Sequence, residues 1–435
     1  MSDHSAEGPP RGTVLVLGAA GFIGGFIVAA LRSVDWQVIR GVRSRPCLAV
    51  DERACDLAAL QTVDDWLPLL EGIDAVVNAA GLLRDRGPDR LADIHEHAPL
   101  ALAQACVRRG IARFVQISAL GEPADGEFIA SKHRFDDALL ALPLQAVVLR
   151  ASVVYSTAGS YGGSSLLRAL AGFPGFLPLP GDGRWGLQPC AAEDMAELVV
   201  RALTAPARGV FEIGSPAPLS LRDYQRHWRA WLRVPGRRVV GIPERCIGIA
   251  VRIGEWVGRG PLGAATWRML QRGVDIAPAQ RQQVIDAFGY APRALPEVLA
   301  RRPSQAQDRW HARLYLLAPV LRLSVIALWL LSALAGFITP AADIERLAAG
   351  SWLAQTWPVA LARVAGCVDL LLALWLMSGR QPRRATVVML ALLGTYTVAF
   401  GAALPVLWLD PLGGLAKNLV LVPALAVLWV LSDRR

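Results

Sequence analysis

Gly18, Gly21 and Gly24 follow a short, branched apolar run from Thr13 to Leu17, and Gly25 to Leu31 after them reads as a helix. Strand, glycine turn and helix in that order let a bare backbone approach a pyrophosphate and aim the amides of a helix start at its charge. The backbone from Gly18 through Ala20, Gly21, Phe22, Ile23 and Gly24 is therefore the expected phosphate cradle. The next strand should end near Val42, where a site preferring NAD carries an acidic residue against the ribose hydroxyls. Arg43, Ser44 and Arg45 stand there instead and offer positive charge and a hydroxyl to a 2′-phosphate, so NADP(H) is expected before NAD(H). Asp56, at the end of a third strand, either accepts from the adenine amino group or caps its strand.

The elements that must position these residues alternate. Apolar runs at Gln37 to Val42, Ala75 to Ala79, Phe114 to Ser118 and Ala146 to Val154 are separated by helical stretches such as Leu91 to Arg108 and Lys132 to Leu140. Such alternation predicts an α/β fold, a doubly wound parallel sheet of the Rossmann type with helices on both faces. From Ser156 to about Arg302 the periodicity weakens and Gly and Pro accumulate, as in Gly172 to Gly186, which predicts an irregular substrate lobe. Within it Cys246 to Trp256 is apolar but carries Arg252 and Glu255, too short and too charged to span a bilayer; it reads as a lid helix or a helix on the membrane surface.

After Leu314 the character changes. Leu314 to Ile338, Trp357 to Met377, Thr386 to Leu409 and Leu412 to Leu431 each approach the length of a membrane crossing, which predicts an all-α bundle of four transmembrane helices. Arg301, Arg302, Arg309 and Arg313 before the first span, Arg380, Arg383 and Arg384 between the second and third, and Arg434 and Arg435 at the end place those sides, and both termini, in the cytoplasm. The expected plan is a polar tail over 1–12, a dinucleotide-binding domain over 13–155, the remainder of that fold with a substrate lobe over 156–305, and a membrane domain over 306–435. Within the second span Asp369 and Arg363 are costly charges: Arg363, near the outer end, either snorkels or pairs, and Asp369 pairs with Arg363, Arg322 or a ligand's polar head or makes a structural interhelical hydrogen bond.

Composition agrees with this division and excludes other classes. Hydrophobic residues make up 54% of the 435 and charged residues only 19%, with a mean hydropathy of +0.37, oily for a wholly soluble chain. The net charge of +9 comes from scattered arginines with no basic run interleaved with aromatics, which argues against nucleic acid as a partner. The six cysteines lie far apart without a Cys-x-x-Cys pair, and His95 and His97 do not share a helix face, so no metal site is expected. Met1 to Arg11 is polar and holds no signal-peptide core, which keeps the N-terminus in the cytoplasm and the protein in the inner membrane.

The glycine pattern, Asp56-Leu57, Asn78-Ala79-Ala80-Gly81, Ser118 and Ser131-Lys132 resemble the extended or atypical short-chain dehydrogenase/reductase superfamily over roughly residues 13 to 230. Gln116-Ile117-Ser118-Ala119-Leu120-Gly121, Gln188-Pro189 and Glu193-Asp194-Met195-Ala196 are similar to its branch that includes the nucleotide-binding accessory subunit of respiratory complex I. The resemblance implies that Ala79 and Ala80 line the cofactor, that Lys132 holds the nicotinamide ribose and that Ser118 orients a substrate carbonyl. The superfamily's proton-transferring Tyr, four residues before the Lys, is replaced by Phe128, whose ring has no proton to give. Lys132 is one of only two lysines among 45 basic residues, in a place where a compact ammonium cannot be exchanged for a guanidinium. Tyr155, at the end of a later strand, is the candidate substitute donor, and His133 is expected to be exposed.

Asp410-Pro411-Leu412-Gly413-Gly414 with Lys417-Asn418-Leu419, and Gly366, Asp369 and Leu370 to Leu374, resemble the DoxX-like family of four-helix membrane proteins, associated with quinone-linked redox chemistry. Together the resemblances imply a membrane-anchored NADP(H)-dependent oxidoreductase acting on a quinone, isoprenoid or lipid-like carbonyl, or a non-catalytic NAD(P)H-binding module that senses, or stabilises a membrane-protein partner.

Overall fold

The computed structural model describes residues 11–43, 47–85, 87–236, 238–257, 263–409 and 414–433, the side chains of 256 and 257 aside. Ser44, Arg45, the motif residues Asp410 to Gly413 and the terminal Arg434 and Arg435 lie outside them. The chain divides into two compact units after Ala312.

In chain order the first unit opens β1 (Thr13–Leu17), α1 (Phe22–Arg32), β2 (Gln37–Val42), β3 (Glu52–Ala54), β4 (Ala75–Asn78), α2 (Ala98–Arg109), β5 (Arg113–Ala119), α3 (Glu127–Ala141) and β6 (Gln145–Ala151). It continues through α4 (Gly163–Ala171), α5 (Ala192–Thr204) and β7 (Gly209–Ile213). The seven strands form one sheet in the order β7-β6-β5-β4-β1-β2-β3, parallel at every step. Strand order reverses between β1 and β4, so a crevice opens there at the carboxyl ends, where doubly wound sheets bind ligands.

Both faces are covered, which is why the strands read as unbroken apolar runs. Along β1, Val14 and Val16 face the core shared with α1 and α5, while Leu15 and Leu17 face the core that holds α2 and α3. The run expected as one strand from Ala146 to Val154 breaks after Ala151, and Val154–Tyr155 pairs instead with Cys190–Ala191 in a separate two-stranded sheet.

The lobe is more regular than its weak periodicity suggests. Besides α4 it contains α6 (Leu221–Trp231), α7 (Glu244–Val257), α8 (Ala264–Arg272), α9 (Pro278–Phe288) and α10 (Leu295–Arg301). Its core is aromatic: Tyr155, Trp185, Tyr224, Trp228 and Trp231 pack together. α6, with the sequence LRDYQRHWRAW, hides its helical stripe from a hydropathy count because bulky amphipathic rings replace aliphatic residues.

The second unit is helical, built from α11 (Ala306–Ile338), α12 (Pro358–Ser378), α13 (Pro382–Ala403) and α14 (Asn418–Leu431). Val325 and Trp329, Leu372 and Leu376, Met389 and Leu393, and Leu425 and Leu428 bring the four to one core. Outward, Leu323, Leu331, Val398 and Val420 stand exposed, as side chains facing lipid do. Among the described residues three helices, α11, α12 and α13, are long and apolar enough to cross a membrane. The fourth is shorter than the sequence run implies: a 3₁₀ turn at Leu415–Lys417 precedes it, and its 14 residues rise only about 21 Å against a hydrocarbon core of about 30 Å. Gly414, just ahead of that turn, is a local reason, since glycine weakens a helix start.

Asp369, Arg363 and Arg322 of the second unit find uncharged partners. Asp369 takes the interhelical hydrogen bond among its readings, accepting from the Ser332 hydroxyl of α11 at 2.6 Å, and does not pair with Arg363 or Arg322. Arg363 donates to the carbonyls of Gly336, Phe337 and Thr339 at the end of α11, and Arg322 donates to the Leu376 carbonyl near the end of α12. Arg363 thereby satisfies carbonyls at the end of α11 that the helix cannot satisfy itself.

Candidate functional site

The glycine turn is forced by its surroundings. Gly18 has φ +70°, and a Cβ there would lie 2.7 Å from the carbonyl of Ala79; a Cβ on Gly24 would lie 2.0 Å from the Gly18 oxygen. Only bare backbone allows β1, α1 and the turn after β4 to come this close. α1 starts at Phe22 with no side-chain cap and no acidic residue in its first turn, leaving its leading amides to an outside acceptor. This cradle fits a pyrophosphate, and the backbone of Ala79 and Ala80 stands against it. Asn78 fixes their turn, donating to Gln116 at 2.8 Å and accepting from the Ala80 amide at 3.1 Å.

At the adenosine end, Arg43 stands exposed beyond β2 and pairs with Asp89 at 2.7 Å. Asp56 accepts from the Ala58 amide at 3.2 Å, the capping alternative among its two readings.

The nicotinamide end is built on α3. Phe128, Lys132 and Asp136 recur every four residues and share one helix face. Lys132 is buried, its Nζ donating to the Ile117 carbonyl at 3.0 Å, and burial pulls its pKa down to about 8. Asp136, fully buried, accepts from Ser118 at 2.8 Å and from Arg150 at 2.9 Å. Burial raises its pKa, while Ser118 and Arg150 hold it back.

Three expectations change here. Ser118 spends its only hydroxyl hydrogen on Asp136, so it cannot donate that hydrogen to a substrate carbonyl. Tyr155 is wholly buried, edge-on to Trp228 with its hydroxyl unbonded, and burial pushes its pKa up; it is a core aromatic of the lobe, which removes the candidate donor. His133 is buried, not exposed, and its Nε2 bonds the Ala119 carbonyl at 3.0 Å, tying α3 to the end of β5.

Two residues escaped the sequence reading. His95 is buried beside Phe128, with ring centroids 5.7 Å apart, and a Cβ on Gly81 would lie 3.4 Å from its Nε2 and 3.5 Å from Lys132 Nζ. The Leu82 amide donates to His95 Nε2 at 2.9 Å, so the hydrogen sits on Nδ1 and is donated to Ser131 at 3.0 Å. Burial, aided by Lys132, pulls its pKa down to about 2. His95 is a neutral pin that sets the Gly81 loop against α3. Arg168, also buried, donates to the carbonyls of Ser156 and Gly159 and stacks 4.5 Å over Trp228. It holds the segment after Tyr155 across the mouth of the turn, where a Cβ on Gly159 would lie 3.6 Å from the Phe22 ring. A lone arginine in the small-residue helix α4 was the available signal.

Residues 14–214 match the NAD dependent epimerase/dehydratase family, and residues 326–429 match the DoxX-like family. The chain joins an epimerase/dehydratase-type domain to a DoxX-like domain. It is similar to a ceramide reductase of Caulobacter vibrioides, 27% identical over 247 residues that cover 54% of this chain and 73% of that protein. Subunit 9 of the NADH dehydrogenase [ubiquinone] 1 alpha subcomplex of Arabidopsis thaliana mitochondria is 25% identical, covering 51% of this chain and 60% of that one. Among solved structures, MoeE5 in complex with UDP-glucose and NAD matches 70% of this chain and 100% of its own with a TM-score of 0.50 and 23% identity. A human epimerase family protein with NADPH matches 66% and 97% with a TM-score of 0.51 and 19% identity. These structures share the fold of the first unit. A nicotinamide dinucleotide, the cofactor expected from the glycine turn, is the one by which the matched family is described.

Proposed function

We propose that the protein is an NADP(H)-dependent oxidoreductase of the short-chain dehydrogenase/reductase type, anchored in the cytoplasmic membrane with the nucleotide domain and both termini inside, and acting on a hydrophobic substrate. The supporting observation is the pairing, on one sheet edge, of an uncapped glycine turn with a buried lysine beyond it. In this reading the amides from Gly18 to Gly24 bind the pyrophosphate with the Ala79–Ala80 backbone beside it, Arg43 exchanges Asp89 for the 2′-phosphate, and Lys132 bonds the nicotinamide ribose. When bound, the dinucleotide supplies a hydride at its nicotinamide. Lys132, its ammonium made more acidic by burial, passes a solvent proton to the reduced oxygen in place of the missing Tyr. The Caulobacter relative is named for reduction of ceramide, a lipid, and a membrane anchor raises the effective concentration of any substrate dissolved in the bilayer.

A second reading has its own support. With Phe128 in the donor position, Ser118 committed to Asp136 and Tyr155 sealed in the lobe core, the domain lacks the usual proton relay, as a cofactor-binding module for a membrane-protein partner would. Titrating the detergent-purified protein with NADPH and NADH by fluorescence, then following NADPH absorbance after adding a quinone or an enone, separates the two. Oxidation of bound NADPH by either acceptor supports the enzyme; tight binding with no oxidation supports the module.

A further inference from the structure

Among the described residues of the first unit, four of the eight large apolar side chains left exposed are Leu83, Tyr161, Ile249 and Ile253. They are not scattered. Leu83 and the segment carrying Tyr161 meet, since a Cβ on Gly162 would lie 3.8 Å from Leu83 Cδ1, and the neighbouring Arg84 donates to the Gly254 carbonyl of α7 at 3.2 Å. α8, the partner of α7, is fastened to the turn ahead of α3 by Arg268, which donates to the Asp125 carbonyl at 2.9 Å, and by Arg272, which pairs with the Asp125 carboxylate at 3.0 Å. The α7–α8 pair therefore rims the carboxyl edge of the sheet, over the loop that meets His95 and Lys132.

The outer face of α7 is what a lipid surface would take. Cys246, Ile249 and Ile253 recur at helical spacing and stand exposed. Arg245 and Arg252 are exposed and make no ion pair among the described residues, while the helix's two carboxylates turn toward α8: Glu244 accepts from Gln271 and Glu255 from the Ala264 amide. What remains is an apolar stripe edged by unpaired guanidiniums, matched to acyl chains beneath anionic headgroups. At 14 residues the helix rises about 21 Å, too little to cross, so it would lie in the interface plane. The chain carries its own membrane-type helices, so a bilayer is always at hand.

We propose that α7 is an interfacial helix, with Cys246, Ile249 and Ile253 seated among the acyl chains, and that it sets the rim formed with Leu83 and Tyr161 against the bilayer as the port for a hydrophobic substrate. The port rests on the functional reading above; the insertion does not.

The test uses the full chain in vesicles of phosphatidylcholine and phosphatidylglycerol, with the exposed Cys47, Cys246 and Cys367 changed to Ser. A polarity-sensitive label on Ile249→Cys should emit to the blue and be quenched at least about twofold by lipids spin-labelled near the headgroup. The same label on Asp64→Cys, a solvated position of the same unit, should respond only to aqueous iodide. A label at 249 quenched by iodide as strongly as the one at 64, or cross-linking between copies through 249, overturns the proposal. The double variant Ile249→Glu, Ile253→Glu should keep NADPH affinity yet lose most turnover of a bilayer-dissolved acceptor, with a water-soluble acceptor unaffected; equal loss on both overturns the port. Lipid quenching in a protein that binds no NADPH would instead sink the functional reading and leave the insertion standing.

Discussion

The two ends of the crevice follow different rules. At the glycine turn the geometry is compelled by contact, because β1, α1 and the turn after β4 approach too closely for a Cβ on Gly18 or Gly24. At the nicotinamide end the expected roles have been reassigned: Ser118 serves Asp136, Tyr155 serves the lobe core, and only Lys132 keeps a place suited to a cofactor. Holding a dinucleotide and moving a proton are thus separable demands on one fold. The first is written in backbone, the second in side chains that can be replaced one at a time.

The comparison breaks most sharply at Gly24. Gly24→Ala puts a methyl 2.0 Å from the Gly18 oxygen; overpacking of this kind costs about 3 kcal/mol, so NADPH affinity measured by fluorescence should fall about a hundredfold. Unchanged affinity would show that the turn is not the cradle.

His95 sharpens the other end. Its folded pKa of about 2 lies below an unfolded value near 6.5, so between those values the unfolded chain holds a proton that the native one does not. Stability from this group is complete above about pH 6.5 and is lost as pH falls, about 1.4 kcal/mol for each pH unit. In denaturant titrations the stability gap between wild type and His95→Gln should narrow by that amount per unit; a constant gap would mean that His95 is charged or solvated.

Arg43→Ala should weaken NADPH binding about tenfold, the worth of one exposed charge-assisted contact of about 1.4 kcal/mol, and leave NADH unchanged. Equal losses for both nucleotides would remove the 2′-phosphate role. Asp89→Asn, which frees Arg43 from its 2.7 Å partner, should tighten NADPH by a smaller factor. Smallest is Phe128→Tyr: if Lys132 already passes the proton, the rate should change by less than about threefold, whereas a large gain would mark a domain whose only deficit is the missing hydroxyl.

Much of the nucleotide half was legible because its signals are local. The bounds of β1 and β2 follow from branched apolar runs, and the turn from glycine spacing. The reaction end was not, since it depends on pairs far apart in sequence: Ser118 with Asp136, His95 with the Leu82 amide, and Arg168 with the Ser156 carbonyl. A hydroxyl's partner cannot be read from its neighbours in the chain. In the second unit hydropathy located the four helices but not the break before Asn418, because an average over a window does not register a single glycine such as Gly414.

The most direct measurement is titration of NADPH into the intact, folded protein in detergent. Saturable binding that Gly24→Ala weakens about a hundredfold, tighter for NADPH than for NADH, is the expected result. A folded protein with no affinity for either nucleotide would contradict the account at its root.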